Sequence, residues 1–217
     1  MPKLSKQLVF EAAVQVADER GLASVSMRKV AERLGVEAMS LYHHVANKDE
    51  ILDGIADVVF AQIELPGPEV DWKDALRQRA VSTRSVLSRH PWALGFLESR
   101  RTPGPVTMRH HDWVIGRLRE AGFTIAMAAH ALAVVDSYVF GFVLQERTLP
   151  LDTPAEVADV AKGMFDLMEA GAYPHLTEMI KEHALRPGYA FADEFPFGLD
   201  LILDGLERLQ NPNRPSE

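Results

Sequence analysis

The sequence predicts an all-α protein with two helical parts, a small N-terminal domain and a larger C-terminal domain. Apolar residues recur at helical spacing along the 217 residues, whereas no stretch combines period-two alternation with the hairpin turns of a β-sheet. Glycines or prolines end several of these runs, as is typical of helices joined by short turns. The length is sufficient for a substantial core in one large or two modest domains.

Composition narrows the possible functions. The chain contains no cysteine, which excludes disulfides, thiolate zinc sites and a cysteine nucleophile. Nucleotide-binding, serine-hydrolase and H-E-x-x-H motifs do not occur, so no enzymatic activity is predicted. The N-terminus MPKLSKQ lacks a long apolar segment, and no run is expected to approach the ~20 apolar residues of a membrane span. These features favour a soluble cytoplasmic protein.

Two short amphipathic runs meet at Gly35. The first, Met27 to Leu34, places its apolar residues on one face, and the second is expected to point Leu41 and Val45 inward. Glycine readily adopts the left-handed conformation that a tight turn between crossed helices requires. The spacing predicts a helix-turn-helix whose second helix would lie in a DNA major groove, and an ordinary helical hairpin is the alternative.

Flanking helices complete the predicted N-terminal domain. One helix ends at Gly21, and Asn47 is placed to cap a fourth helix that continues to the break at residues 66–68. That fourth helix would connect the two domains mechanically. The predicted division is 1–48 for the helix-turn-helix domain, 48–64 for the connecting helix, 70–210 for a ligand-binding and dimerisation domain, and 211–217 for a disordered tail.

The charge distribution is compatible with a DNA-binding end. The whole chain carries a formal charge of −8, but residues 1–48 hold seven Lys or Arg against five Asp or Glu, a net charge of +2. The remainder therefore carries −10. A mildly positive end on an acidic body would orient the protein on DNA and limit non-specific adhesion. Chance fluctuation is the alternative for so few charges.

Three C-terminal runs are predicted to form helices. Trp72 to Arg89 is expected to include Val81 on its buried side. Thr124 to Glu146 is long and rich in small residues, which permit close helix approach. Phe195 to Leu209 is apolar around most of its circumference and must be covered by another surface. The run Thr124 to Glu146 is expected to serve as both a central core helix and a subunit interface. The terminal run is expected to pack against a second copy, and completion of its own core is the alternative.

These residues resemble the TetR-type transcriptional regulators over nearly the whole chain. The strongest likeness is GLASVSMRKVAERLGVEAMSLYHHVANKDEILDGI, which carries the family's helix-turn-helix, its L-Y-x-H/Y-[VF]-x-[NS]-K run and the following helix. RHPW, PGP, LREAGF and FGLDLILDGLERL are similar to the tetracycline-repressor subgroup. The resemblance implies a homodimeric repressor that a small-molecule inducer releases from a palindromic operator.

The resemblance also implies which residues face DNA. Arg28 would contact a groove edge or a phosphate, and Lys48 would contact the backbone at the start of the fourth helix. An arginine can bond guanine through two hydrogen bonds, and Met39 can touch a thymine methyl group. The predicted DNA-binding set is Ser26, Met27, Arg28, Glu37, Ala38, Met39, Ser40, Tyr42, His43, His44 and Lys48.

Aromatic, methionine and polar residues of the second domain are candidates for a ligand pocket, because such pockets are mostly apolar with a few polar groups. The set is Trp92, Phe96, Met108, His111, Trp113, His130, Tyr138, Phe142, Gln145, Met164 and Met168, and packing in the core is the alternative for each.

No cofactor and no metal site are predicted. Adjacent histidines such as His110 and His111 point about 100° apart on a helix and cannot chelate from one face without other ligands. The tetracycline repressors hold a magnesium–drug chelate, whereas here Gln145 occupies the expected glutamate position and the fourth helix has no histidine. A different inducer is therefore expected.

The leading hypothesis is a ligand-responsive regulator with double-stranded operator DNA, a second copy and a small effector as partners. A non-specific architectural DNA binder is the first alternative. A helical enzyme with scattered carboxylates is the second, although no motif points to it.

Overall fold

The computed structural model describes residues 3–99, 104–149, 151, 153–169 and 171–210, with the side chains of 97–99 excepted. Every regular element in these ranges is helical, which confirms the all-α prediction. Contacts divide the chain into two compact units, Met1–Ala133 and Val134–Glu217. The domain boundaries proposed from the sequence stay a prediction, and the tail 211–217 lies outside the described residues.

The helices follow one another along both units. The first unit contains α1 (Lys6–Arg20), α2 (Met27–Leu34), α3 (Ala38–Leu41), α4 (Lys48–Phe60), α5 (Trp72–Arg89), α6 (Ala93–Ser99), α7 (Pro105–Glu120) and the start of α8 (Ile125–Thr148). The second unit contains the rest of α8, then α9 (Pro154–Leu167), α10 (Pro174–Met179), a π-helical turn (Ile180–Ala184) and α11 (Glu194–Gln210). Short 3₁₀ turns occur at Leu22–Ser24 and Phe191–Asp193.

Helices α1 and α2 have conventional ends. Ser5 and Ser26 cap α1 and α2, because each hydroxyl oxygen accepts a hydrogen bond from the amide three residues later. Gly35 ends α2 with φ at 67°, a left-handed conformation that a side chain would disfavour. The small core that results buries Val9, Ala13, Val25, Val30 and Leu41 completely or nearly so.

Helix α4 packs closely on α1, and hydrogen bonds hold the chain segment that follows α4. Asn47 caps α4 by accepting from the Glu50 amide at 2.9 Å. Gly54 lies against the ring of Phe10, in a space where a Cβ atom would overlap that ring. Beyond α4, Arg117 of α7 donates hydrogen bonds to the carbonyl oxygens of Pro68 and Val70. These bonds hold the helix break at residues 66–68.

Helix α5 buries one face and corrects one prediction. Leu76, Ala80 and Leu87 are buried as expected, whereas Val81 is 52% exposed. The buried side follows the helical spacing Ala75–Leu76, Arg79–Ala80 and Val86–Leu87, and Val81 lies one step of about 100° beyond the edge of this stripe. The start of α5 is fixed by Trp72, whose ring lies 4.9 Å from that of Phe123 in an edge-on contact.

The second unit is built on aromatic contacts between α8 and α11. Phe195 of α11 is 1% exposed and contacts the rings of Tyr138 and Phe142 at 5.6 and 5.1 Å. Phe191 stacks on Phe142 at 5.0 Å. Tyr138 also donates its hydroxyl to the Phe195 carbonyl at 2.9 Å, next to Gly198. These contacts fix the first turn of α11 on α8.

Helix α8 is long and apolar enough to cross a membrane by length and composition, contrary to the expectation that no run approaches such a span. Its inner residues Val135, Val139 and Val143 are buried, and the aromatic contacts with α11 lie on the same half of the helix. The helix is therefore a core helix of this protein. Its composition reflects helix packing, because small and apolar side chains serve close approach as well as lipid exposure.

Candidate nucleic-acid interface

The predicted recognition helix is shorter than the sequence suggests. Helix α3 covers only Ala38–Leu41, whereas it was expected to extend to Val45. After Leu41 the backbone tightens, because the amides of Tyr42 and His44 bond carbonyls three residues earlier. Leu41 and Val45 are nevertheless buried, as predicted, at 0% and 2% exposure. They anchor the segment from beneath and leave its other side towards solvent.

The outer surface of this segment carries most of the predicted DNA-facing side chains. Met39 and Tyr42 are 73% and 49% exposed, so both side chains are accessible to a ligand. Glu37, His43, Arg28 and Lys48 are exposed as well. The half-buried members of the predicted set are Ser26, Met27, Ala38, Ser40 and His44. The Ser26 oxygen already caps α2, so Ser26 has a structural role whether or not it touches DNA.

The cations of α2 differ in availability. Lys29 pairs with Glu32 at 3.0 Å, and Arg33 reaches back to α1, where it contacts Glu19 at 2.5 Å and Gln15 at 2.9 Å. The Lys29 hydrogen bond and charge hold the pKa of Glu32 below its ordinary value. Arg28 makes neither a hydrogen bond nor an ion pair within the described part of the chain. Its guanidinium is therefore available to a ligand.

A clamp around Glu50 was not anticipated from the sequence. The Glu50 carboxylate accepts from the Ala46 amide at 2.6 Å and from the ammonium group of Lys6 at the start of α1. The Ala46 hydrogen bond, followed by that of Lys6, lowers the pKa of Glu50. The Asn47-x-x-Glu50 spacing is a recognisable capping pattern, but nothing local indicates Lys6, which lies 44 residues away. This clamp fixes the turn that presents Lys48.

The predicted ligand-pocket residues lie in both units. In the first unit, Trp92, Phe96, His111 and Trp113 are half-buried, whereas Met108 and His130 are exposed. In the second unit, Phe142 is buried, Tyr138, Met164 and Met168 are half-buried, and Gln145 is exposed. Trp92 lies 6.5 Å from Phe96, measured between ring centroids. Assignment of the whole set to one pocket stays a prediction.

Metal ligands do not cluster in the described ranges, which hold no group of three or more His, Asp or Glu residues able to bind an ion. His110 is 3% exposed, and its ring meets the edge of Phe60 at 5.8 Å. It thus contributes to packing between α4 and α7.

Known proteins match both parts of the chain. Residues 9–55 match the family described as bacterial regulatory proteins, tetR family, and residues 65–210 match the tetracyclin repressor-like C-terminal domain. The HTH-type transcriptional repressor DrrR1 of Streptomyces coeruleorubidus is 36% identical, over 96% of this chain and 79% of the relative. The class A tetracycline repressor of Escherichia coli is 29% identical, over 96% and 93%.

A solved structure gives the same result for the fold. The TetR family protein ActR of Streptomyces coelicolor, in complex with actinorhodin, superimposes with a TM-score of 0.79 at 27% identity. The match covers 96% of this chain and 97% of ActR.

Proposed function

Because this chain belongs to the tetR family of bacterial regulatory proteins and is a ligand-responsive DNA-binding transcriptional regulator, we propose that it acts as a homodimeric repressor on a roughly palindromic operator. Each copy would place α3 and the turn after it in one major groove. The two half-sites would lie about one helical turn, ~34 Å, apart. The protein would act in the cytoplasm, where the operator is accessible.

The observation that carries this proposal is the exposed face of the α2–α3 segment. It combines protruding Met39 and Tyr42 over a buried anchor with the Arg28 guanidinium, which has no ion pair among the described residues, and the Lys48 ammonium group follows at the start of α4. Cationic groups at its edges suit phosphates, and side chains of mixed chemistry at its centre suit base edges. The cations and the mixed side chains of this surface together favour a DNA groove as its ligand.

A second copy would cover two exposed faces of the second unit. On α11, Phe197, Leu201 and Leu209 are 65%, 57% and 64% exposed, while Leu199 and Leu203 on the opposite side are buried. On α8, Val134 and Leu144 are 48% and 51% exposed, at the ends of a stripe of small residues. Four helices, two from each copy, would bury these faces together.

The effector would bind in the C-terminal domain and favour a conformation that does not fit the operator. Such a ligand must bind the two conformations with different affinity, and nearly complete release requires a difference on the order of 5 kcal/mol. Most of the predicted pocket residues are aromatic or methionine, with His111, His130 and Gln145 as polar members, so an effector with a substantial apolar surface is expected. ActR was solved with actinorhodin bound, which supports ligand binding in a related fold.

Selection of binding sites from random duplex DNA tests this proposal. We expect a single enriched motif with two-fold symmetry, and protection of both half-sites in footprints at physiological salt. Uniform retardation of unrelated duplexes without an enriched motif would instead indicate an architectural DNA binder.

A further inference from the structure

One carboxylate oxygen joins α1 to the corner between α5 and α6. Asp18 Oδ1 accepts a hydrogen bond from His90 Nδ1 at 2.8 Å and another from Trp92 Nε1 at 2.7 Å. Asp18 precedes its two donors by 72 and 74 residues. It lies in the segment that matches the DNA-binding family, whereas both donors lie in the segment that matches the C-terminal domain.

The His90 donor is fixed by its neighbours. His90 ends α5, its amide bonds the Val86 carbonyl at 3.1 Å, and its own carbonyl accepts from Ala93 at 2.9 Å. The His90 side chain is only 10% exposed, against 30% for Asp18. Its second ring nitrogen lies 3.1 Å from the amide nitrogen of Gln62, just beyond α4. Because Asp18 accepts from Nδ1–H, Nε2 is left to bond the Gln62 amide, whose oxygen lies 3.2 Å away.

We propose that Asp18 is a positioning residue that sets the orientation of the DNA-reading helices relative to the C-terminal domain. This inference rests on the proposed function. Helices α2 and α4 pack on α1, so any rotation of α1 moves the exposed face of α3 with it. Without the two hydrogen bonds to Asp18, α1 loses its polar contact with the α5–α6 corner, and its orientation depends more on its packing against α4.

The same carboxylate gives the effector domain a direct route to the reading helices. Trp92, one of its two donors, neighbours Phe96, and both belong to the predicted pocket. A ligand that displaced the indole would remove a hydrogen bond from Asp18, and the energy of that bond would then differ between the free and liganded conformations. Such a difference is what a ligand-driven shift requires.

The orientation of the DNA-reading helices affects operator affinity, because the two copies of a dimer must bind two half-sites at once. Binding of the second half-site is intramolecular. The effective concentration for this step falls when the DNA-reading helices of the second copy spend less time at the correct position. Loss of positioning should therefore weaken binding to the full operator and relax the preferred spacing. It should leave binding to an isolated half-site unchanged, because the face that contacts DNA is intact.

The test uses the full-length protein, the operator selected by the wild type, a single half-site duplex, and operators with one or two base pairs inserted at the centre. Asp18→Ala should bind the operator at least tenfold more weakly and lose most of the discrimination between spacings. Asp18→Asn keeps an acceptor oxygen but loses the charge, so an intermediate effect is expected. Glu11→Ala removes an exposed carboxylate of the same helix that bonds only Gln7 among the described residues, and it should behave as the wild type.

The outcomes separate the possibilities. An unchanged spacing preference in Asp18→Ala, or an equal loss of half-site and operator affinity, would overturn the positioning role. If Asp18→Ala fails to fold by circular dichroism, Asp18→Asn alone decides between the same results. If the wild type itself does not prefer two half-sites to one, the proposed function fails, independently of Asp18.

Discussion

Three cations of one short helix, Arg28, Lys29 and Arg33, have the same charge but different surroundings. Lys29 and Arg33 form ion pairs with Glu32 and Glu19, whereas Arg28 is exposed and forms none within the described residues. An ion pair must be broken, or at least shared, before its cation can bind a phosphate. Availability therefore distinguishes Arg28 from its neighbours, and composition alone could not have done so.

Arg28→Ala is expected to cost about 1–3 kcal/mol of specific operator binding, because an available guanidinium can form two hydrogen bonds with DNA. Fluorescence anisotropy with the selected operator measures the loss. Arg89→Ala is the matched control, since it removes an exposed arginine from the end of α5. Equal losses in the two variants would mean that only net charge matters.

Lys48→Ala should weaken binding to all duplexes and reduce the slope of log affinity against log salt by about one. Lys48 is exposed at the first position of α4, beside the clamp formed by Glu50, and is placed for a backbone phosphate. Affinity for operator and unrelated DNA at several salt concentrations measures the effect. A loss confined to the operator would assign Lys48 to base recognition instead.

Acid should loosen the N-terminal helices through Glu50. The Ala46 amide and then Lys6 lower the pKa of this carboxyl below its ordinary value of 4.5. A lowered folded-state pKa stabilises the protein fully above that ordinary value, and this stabilisation is lost as the pH falls through the folded-state pKa. Glu50→Gln should therefore lower the thermal midpoint at pH 7, and its difference from the wild type should shrink as the pH falls below 4.5 and through the lowered pKa of Glu50. A constant difference across this range, or the same convergence in Glu11→Gln, would contradict the assignment.

At the scale of the helices, the sequence correctly predicted features that depend on residues within one helix. The burial of Leu41 and Val45 and the Asn47 cap of α4 follow from spacing and side-chain chemistry, and the structure confirms them. The length of α3 did not follow, because its tightening after Leu41 depends on how this segment packs on α2. The bonds of Asp18 and Lys6 could not be predicted, since their partners are distant in sequence and meet only when the helices pack.

The crossing of α1 and α4 depends on Gly54. A Cβ atom there would overlap the half-buried ring of Phe10, so Gly54→Ala must displace that ring or separate the helices. We expect a loss of about 1–3 kcal/mol in the free energy of unfolding, the usual range for overpacking. Chemical denaturation measures it. Gly116→Ala is the control: the space around Gly116 is open, and alanine in mid-helix should stabilise by up to ~1 kcal/mol.

For the whole molecule, the exposed apolar stripe of α11 indicates that function depends on dimerisation. The sequence indicated a helix apolar on nearly every side, and the structure divides that surface into a buried half, with Leu199 and Leu203, and an exposed half, with Phe197 and Leu201. A single chain thus buries only one side of α11 and leaves the apolar side chains of the other side exposed. The proposed dimer would cover the rest and would also set the distance between the two reading heads.

Leu201→Glu should disrupt that dimer, because a carboxylate would have to be buried against the apolar face of a second copy. Light scattering should report a monomer where the wild type is a dimer. Operator affinity should fall by a factor on the order of 10² or more, the usual advantage of two linked sites, while half-site affinity stays the same. Val81→Glu introduces the same charge at an exposed apolar position of α5 and should remain dimeric. A dimeric Leu201→Glu with full operator affinity would place the subunit interface elsewhere, because a charge on this stripe can be tolerated only if the stripe stays in water.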